Sequence, residues 1–150
     1  MKKLAAILVF ASALVAAKSD AELKDFIGKF AGLLKTADHG TMVDAEMVHF
    51  PLRLKGTLDD SPEIKISEKQ FAKVLPKIAN QPSGMNTKNF KETEKDYVSK
   101  QVIRGTLPSD AGQGTVRLGN LVFGKKAKKW KLIMVYTSDE LIAELQAKKK

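Results

Sequence analysis

Helices in the first half and strands in the second predict an α+β fold, with a curved antiparallel sheet wrapped around a long N-terminal helix and an extra helix at the C-terminus. Three observations carry this prediction. Leu23, Phe26, Ile27, Phe30, Leu33 and Leu34 recur at helical spacing and form one apolar stripe. Thr115 to Phe123 and Trp130 to Thr137 are rich in β-branched and aromatic residues and flank Gly124-Lys125-Lys126-Ala127-Lys128-Lys129, the pattern of a β-hairpin. Ser138 caps a last helix that carries Asp139 and Glu140 at its start and Lys148 to Lys150 at its end, charges that suit the helix dipole.

Ahead of these elements lies a leader-like segment. Lys2 and Lys3 precede an unbroken run of apolar and small residues from Leu4 to Ala17, ending in Val15-Ala16-Ala17 before Lys18. That three-part layout is expected of a secretory signal peptide over 1–17, with 18–150 as one exported domain, periplasmic or secreted. The competing reading is a retained N-terminal anchor, but a span needs roughly 18 or more apolar residues. The chain has no cysteine. Disulfides, thiolate metal sites, cysteine nucleophiles and a bacterial lipid anchor are therefore excluded.

Along the remaining chain, Ser19 and Glu22 form a candidate capping box for the first helix, expected to end near Thr36. A short helix is expected over Met42 to Val48, stopped by His49-Phe50-Pro51. Leu52-Arg53-Leu54-Lys55 alternates as a strand does, Asp59-Asp60-Ser61-Pro62 is turn chemistry, and Glu63 to Ile66 reads as a short strand. Ser67 with Gln70 opens a helix bearing Phe71, Val74, Leu75 and Ile78, in which Pro76 is expected to force a kink or an early end. Gln81 to Asn89 reads as a loop, Tyr97 to Leu107 as strand-like, and Pro108 to Gly114 as a flexible connection. Gly119 sits where the apolar phase slips, which suggests a bulge in one bent strand. In the last strand Trp130, Leu132, Met134 and Tyr136 fall on one face and Ile133 and Val135 on the other, so both faces are expected to be covered, one of them by a second copy.

The balance of 26 Lys and Arg against 17 Asp and Glu gives a net charge of +9, which falls to +7 without Lys2 and Lys3. A basic surface favours anionic partners. Lysine runs without interleaved aromatics do not indicate nucleic-acid binding.

Three features together resemble the nuclear transport factor 2-like superfamily, the SnoaL-like or cystatin-like cone. They are the opening helix with Phe26-Ile27 and Leu33-Leu34, the short helix leading into Phe50-Pro51 and a strand, and the closing hairpin with Trp130-Lys131-Leu132-Ile133-Met134-Val135-Tyr136. The resemblance spans most of residues 18–150 and implies a conical pocket. Its members include enzymes, ligand binders and dimerising domains, so the fold leaves function open.

His39 and His49 are the only histidines and make a poor metal set; no metal and no cofactor are expected. No Gly-x-Ser-x-Gly elbow and no phosphate-binding loop is present. The candidate pocket residues are His49, Arg53, Tyr97, Arg104, Trp130 and Tyr136. The expected role is a non-catalytic binding domain that holds a small apolar or amphipathic ligand in the cone, or a protein partner or second copy on the sheet face. A pocket enzyme of isomerase or dehydratase type, using groups such as Asp96, Tyr97, Arg104, Tyr136 or His49, is the alternative. A third reading uses Lys125, Lys126, Lys128 and Lys129 at the hairpin tip to meet a polyanion or a membrane surface, against the plainer account that these lysines keep strand edges from pairing.

Overall fold

The apolar stripe of the first helix needs a surface to bury it, and a five-stranded sheet supplies one. The computed structural model describes residues 2–84, 91–109 and 113–148, with side chains described from Lys18 onward. The elements run α1 (Lys2–Thr36), α2 (His39–Asp44), β1 (Val48–Gly56), β2 (Glu63–Ile66), α3 (Glu68–Asn80), α4 (Glu94–Arg104), β3 (Thr115–Leu118), β4 (Leu121–Lys126), β5 (Lys129–Thr137) and α5 (Asp139–Ala147). The architecture is α+β. The strand order is β2-β1-β5-β4-β3. Among the described strands only β1 and β5 run parallel, so the sheet is mixed rather than purely antiparallel.

The core lies between one sheet face and the helices. Leu23, Ile27, Phe30 and Leu34 of α1 are fully buried, as are Phe71 and Ile78 of α3 and Ile142 of α5. Against them the sheet presents Leu52, Leu54, Ile66, Phe123 and Val135, also fully buried. Phe123 meets Phe30 edge-on at 5.2 Å and Phe26 at 5.6 Å between ring centroids. Such pairings add about 1 kcal/mol each beyond the burial of their area.

Several local expectations are corrected. Ser19 does not start a helix: α1 is continuous through it, and its hydroxyl instead accepts a hydrogen bond from Lys125 Nζ at 2.7 Å. The second helix is earlier and shorter than Met42 to Val48, because Asp38 caps it by accepting from Thr41 N. His49-Phe50-Pro51 falls inside β1, with a cis bond at Phe50-Pro51 and a break in the pairing with β5 between Val48 and Arg53. Pro76 does not shorten α3, whose last turn is held to the core by buried Leu75, Ile78 and Ala79. The Ser67–Gln70 capping box is present.

Tyr97 to Leu107 is largely helical, not strand-like. Thr93 caps α4 and Gly105 ends it with φ +66, while Val98 and half-buried Val102, four apart, join the core. β-branched residues lower helix propensity only slightly, and packing overrides it. Thr115 to Phe123 is two strands rather than one bent strand. Gly119 (φ +60) and Asn120 form the two-residue turn between β3 and β4.

The bulge lies instead in β5. Val122 pairs with Met134 and Phe123 with Leu132, which leaves Ile133 as the extra residue. The inward set is therefore Trp130, Leu132, Val135 and Thr137 rather than a strict alternation. The β4–β5 turn is tighter than Gly124 to Lys129: Lys126 pairs with Lys129 around Ala127 (φ 50) and Lys128 (φ 66). The expected loop from Gln81 is described only to Gly84. Residues 110–112 of the expected connection, and Lys149 and Lys150, lie outside the described residues.

Candidate functional site

Where α3 ends, the chain turns through Gln81-Pro82-Ser83-Gly84 beside the Gly119-Asn120 turn and the last residues of β5. A cleft of about 550 Å³ opens there, between this segment and the first turns of α5. Its lining includes Gln81, Pro82, Ser83, Gly84, Asn120 and Tyr136 on one side and Ser138, Leu141 and Glu144 on the other. The walls are mostly apolar with a few polar groups, a composition suited to a small ligand.

A polar frame holds the floor rigid. Gln81 Nε2 donates to Tyr136 O at 2.9 Å, and Thr137 Oγ1 donates to Gln81 Oε1 at 2.9 Å. Asn120 N and Nδ2 donate to the two carboxylate oxygens of Glu94, each at 2.9 Å, and Nδ2 also donates to Pro82 O at 2.9 Å. Glu94 is fully buried behind Asn120. Burial pushes its carboxyl up to about 7, opposed by the hydrogen bonds from Asn120 and the charge of Arg117. A side chain at position 119 has no room, since a Cβ there would come 2.1 Å from Glu94 Oε1. A Cβ at Gly84 would come 2.6 Å from Asn120 Oδ1.

One group in this frame has no partner among the described residues. Ser83 is 3 % exposed, and its Oγ is buried without a hydrogen bond. A buried hydroxyl left unpaired costs about 1–3 kcal/mol.

The titratable groups are poorly placed for acid–base chemistry. Glu94 is near neutral in pKa, yet both of its oxygens face Asn120 rather than the cleft. Hydrogen bonds from Lys148 and Lys77 hold the Glu144 carboxyl down at about 2, so it stays a carboxylate at physiological pH. Among the described residues no group of three or more His, Asp or Glu is arranged to hold a metal. Among the same residues no helix is long and apolar enough to cross a membrane.

Of the six pocket residues expected from sequence, only Tyr136 lines this cleft. Arg53 lies on β1 and makes a two-point pair with Glu63, at 2.7 and 3.0 Å. His49 is half-buried in β1 and Arg104 is exposed at the end of α4. Tyr97 is half-buried next to Gly119; burial and then the charges of Glu94 and Glu92 raise its pKa. Trp130 is buried in the core under Lys125 Nζ, 5.3 Å from the ring.

The four tip lysines also separate. Lys125 turns inward to Ser19 and Trp130, Lys129 pairs with Glu46 at 2.9 Å, and Lys126 and Lys128 are exposed. Sequence reasoning missed Ser83, Asn120 and Glu94. The dipeptide Gly119-Asn120 between apolar runs is a hairpin-turn signal that would have placed Asn120. Nothing local marks Ser83 or Glu94. Comparison with protein-family models, with curated proteins and with solved structures returns no match.

Proposed function

We propose that this chain is an exported binding protein that acts without covalent chemistry and holds a small amphipathic ligand in the cleft beneath α5. The single observation behind this reading is the mostly apolar cleft of about 550 Å³, whose lining includes Ser83 with a buried hydroxyl that has no hydrogen-bond partner among the described residues. Ligand sites of small molecules combine this size with few, fixed polar groups. The rigid floor favours binding, because a pre-ordered site loses little entropy when it fills. The engagement of both Glu94 oxygens with Asn120 argues against a proton-transfer enzyme of isomerase or dehydratase type. Nuclear transport factor 2-like architecture and removal of residues 1–17 belong to the same proposal. The first is supported by the amphipathic helix on the sheet, Phe50-Pro51 in the opening strand and the closing hairpin at Trp130.

Native mass spectrometry of the protein isolated from its own host tests this reading. The expected result is a chain beginning near Lys18 with a retained small molecule. Replacing exposed Thr57 at the cleft wall by Trp should expel that molecule while leaving the protein folded. A parent protein that carries nothing, and whose melting temperature no amphipathic compound raises, would overturn it.

A further inference from the structure

The sheet has a second face that no described helix covers. Strand pairing sets Lys65, Arg53, Met134, Val122 and Arg117 side by side in one row across all five strands. The next row holds Glu63, Lys55 and Tyr136, and another holds Lys131, Gly124 and Thr115. The bulge adds Ile133, whose Cδ1 lies 2.7 Å from where a Cβ on Gly124 would sit. Ile133, Met134 and Tyr136 are half-buried, Val122 is 7 % exposed, and the Arg117 guanidinium lies 4.1 Å from the Tyr136 ring centroid.

The result is a half-buried apolar centre flanked by Arg53, Lys55, Lys65, Arg117 and Lys131, with Lys126 and Lys129 extending the basic rim at the hairpin end. Two carboxylates stand beside it. Glu63 is taken by Arg53 and Glu46 by Lys129.

The geometry points to an interaction surface for an acidic protein, docked on this face by apolar contact at the centre and opposite charge at the rim. An apolar core with a polar rim, rich in Arg, Met and Tyr, is the anatomy of a protein–protein interface. A second copy is a poor occupant, because a two-fold interface sets each patch against itself and would bring cation rim onto cation rim. A bilayer is also a poor fit, since Ile133 and Met134 are half-buried and flanked by charged residues rather than fully exposed for insertion. A nucleic-acid strand needs successive aromatic platforms, whereas the one aromatic ring here is already stacked under Arg117.

With strands about 4.8 Å apart and a rise of about 3.3 Å per residue, the face offers roughly 500 Å². That is below the ~800 Å² per partner of a stable complex, so the association is transient and steered by charge. This surface shares Tyr136 with the lining of the Ser83 cleft but is otherwise built from other residues, and neither reading depends on the other.

Binding of the mature protein to a random copolymer of glutamate and tyrosine, read by fluorescence anisotropy, tests the assignment. Phosphatidylglycerol vesicles and oligo-deoxythymidine serve as comparison probes. The copolymer should bind with an affinity that falls steeply with salt, and the Lys55→Glu/Lys131→Glu double variant should weaken it by about tenfold or more. Met134→Ser should weaken it by a smaller factor without changing the salt dependence. Glu63→Gln, which removes a carboxylate from the rim, should tighten it, a gain that misfolding does not produce. Retention of the cleft ligand should be unchanged in the double variant. Equal binding by parent and double variant, or binding to vesicles or oligonucleotide but not to the copolymer, would overturn the proposal. So would a homodimer that the double variant dissociates.

Discussion

The two faces of the sheet are built from the same strands, yet one is dry and the other is half wet. On the helix side, Leu52, Leu54, Phe123 and Val135 are fully buried. On the far side, their strand neighbours Arg53, Lys55 and Met134 remain exposed or half-buried. The difference turns on Ile133. Without the extra residue, Met134 and Tyr136 would continue the inward run of Trp130 and Leu132; with it, Val135 and Thr137 point inward instead. Apolar residues at both parities of a strand therefore do not require two covered faces. A bulge re-phases the pattern and leaves a small apolar residue set outside.

If stability resides on the dry face, truncation there should have the largest effect. Phe123→Ala removes a ring packed edge-on against both Phe26 and Phe30. It should cost about 3–5 kcal/mol. Urea denaturation would show the loss as a lower midpoint with an unchanged slope. A loss under about 1 kcal/mol would mean that the aromatic cluster is not the centre of the core.

The next largest effect separates two carboxylates by environment. Glu94 is buried and its pKa is raised to about 7 from 4.5, so the folded state holds its proton more tightly than the unfolded chain does. The contribution of Glu94 to stability should then be greatest below pH 4.5, fall as pH rises from there to about 7, and level off above. A shift of this size corresponds to a ceiling of about 3 kcal/mol. Glu144 runs the opposite way: its pKa is lowered to about 2, so what it contributes is present above pH 4.5 and lost as pH falls toward 2. Chemical denaturation of the parent and of Glu94→Ala across pH 4 to 8 would show the first slope and its removal.

Much of the dry face was legible in sequence, because burial leaves a periodic trace. Leu23 to Leu34, the Ser67–Gln70 capping box and the Ser138 cap all appear as expected, since each is written in residues a few positions apart. What was not legible is non-local. The parallel pairing of β1 with β5 joins strands some eighty residues apart. The placement of Glu94 against Asn120 depends on α4 docking beside the β3–β4 turn. The branched residues after Tyr97 suggest a strand, whereas the cap at Thr93 and the stop at Gly105 define a helix. Of the cleft, only Tyr136 was anticipated, since an orphaned hydroxyl such as that of Ser83 is a property of surroundings rather than of sequence.

Gly119 offers an intermediate test at the boundary between the two faces. Its φ is +60, and an added Cβ would strike the Glu94 carboxylate. Gly119→Ala should cost about 2 kcal/mol or more, combining left-handed strain with displacement of a buried carboxylate. It should also flatten the pH dependence attributed to Glu94. Ser83→Ala should move stability the other way. Removing an unpaired buried hydroxyl should raise stability by about 1 kcal/mol in the empty protein. If the cleft takes a ligand through that hydroxyl, the same variant should bind it more weakly. Calorimetric melting with and without ligand separates the two effects.

The smallest expected effect on folding is also the sharpest statement about the far face. Met134 sits at the middle of the open face, half-buried, between Arg53 on one side and Val122 on the other. It is as apolar as its buried neighbours, so residue type alone would assign it to the core. Surface substitutions away from special features usually change stability by no more than about 0.5 kcal/mol. Met134→Ser should fall within that range in urea denaturation, while Leu132→Ser, two positions away in β5 and 1 % exposed, should be severely destabilising. Equal losses at the two positions would mean that both faces are packed in solution, and that a layer covers the basic face before any acidic partner arrives.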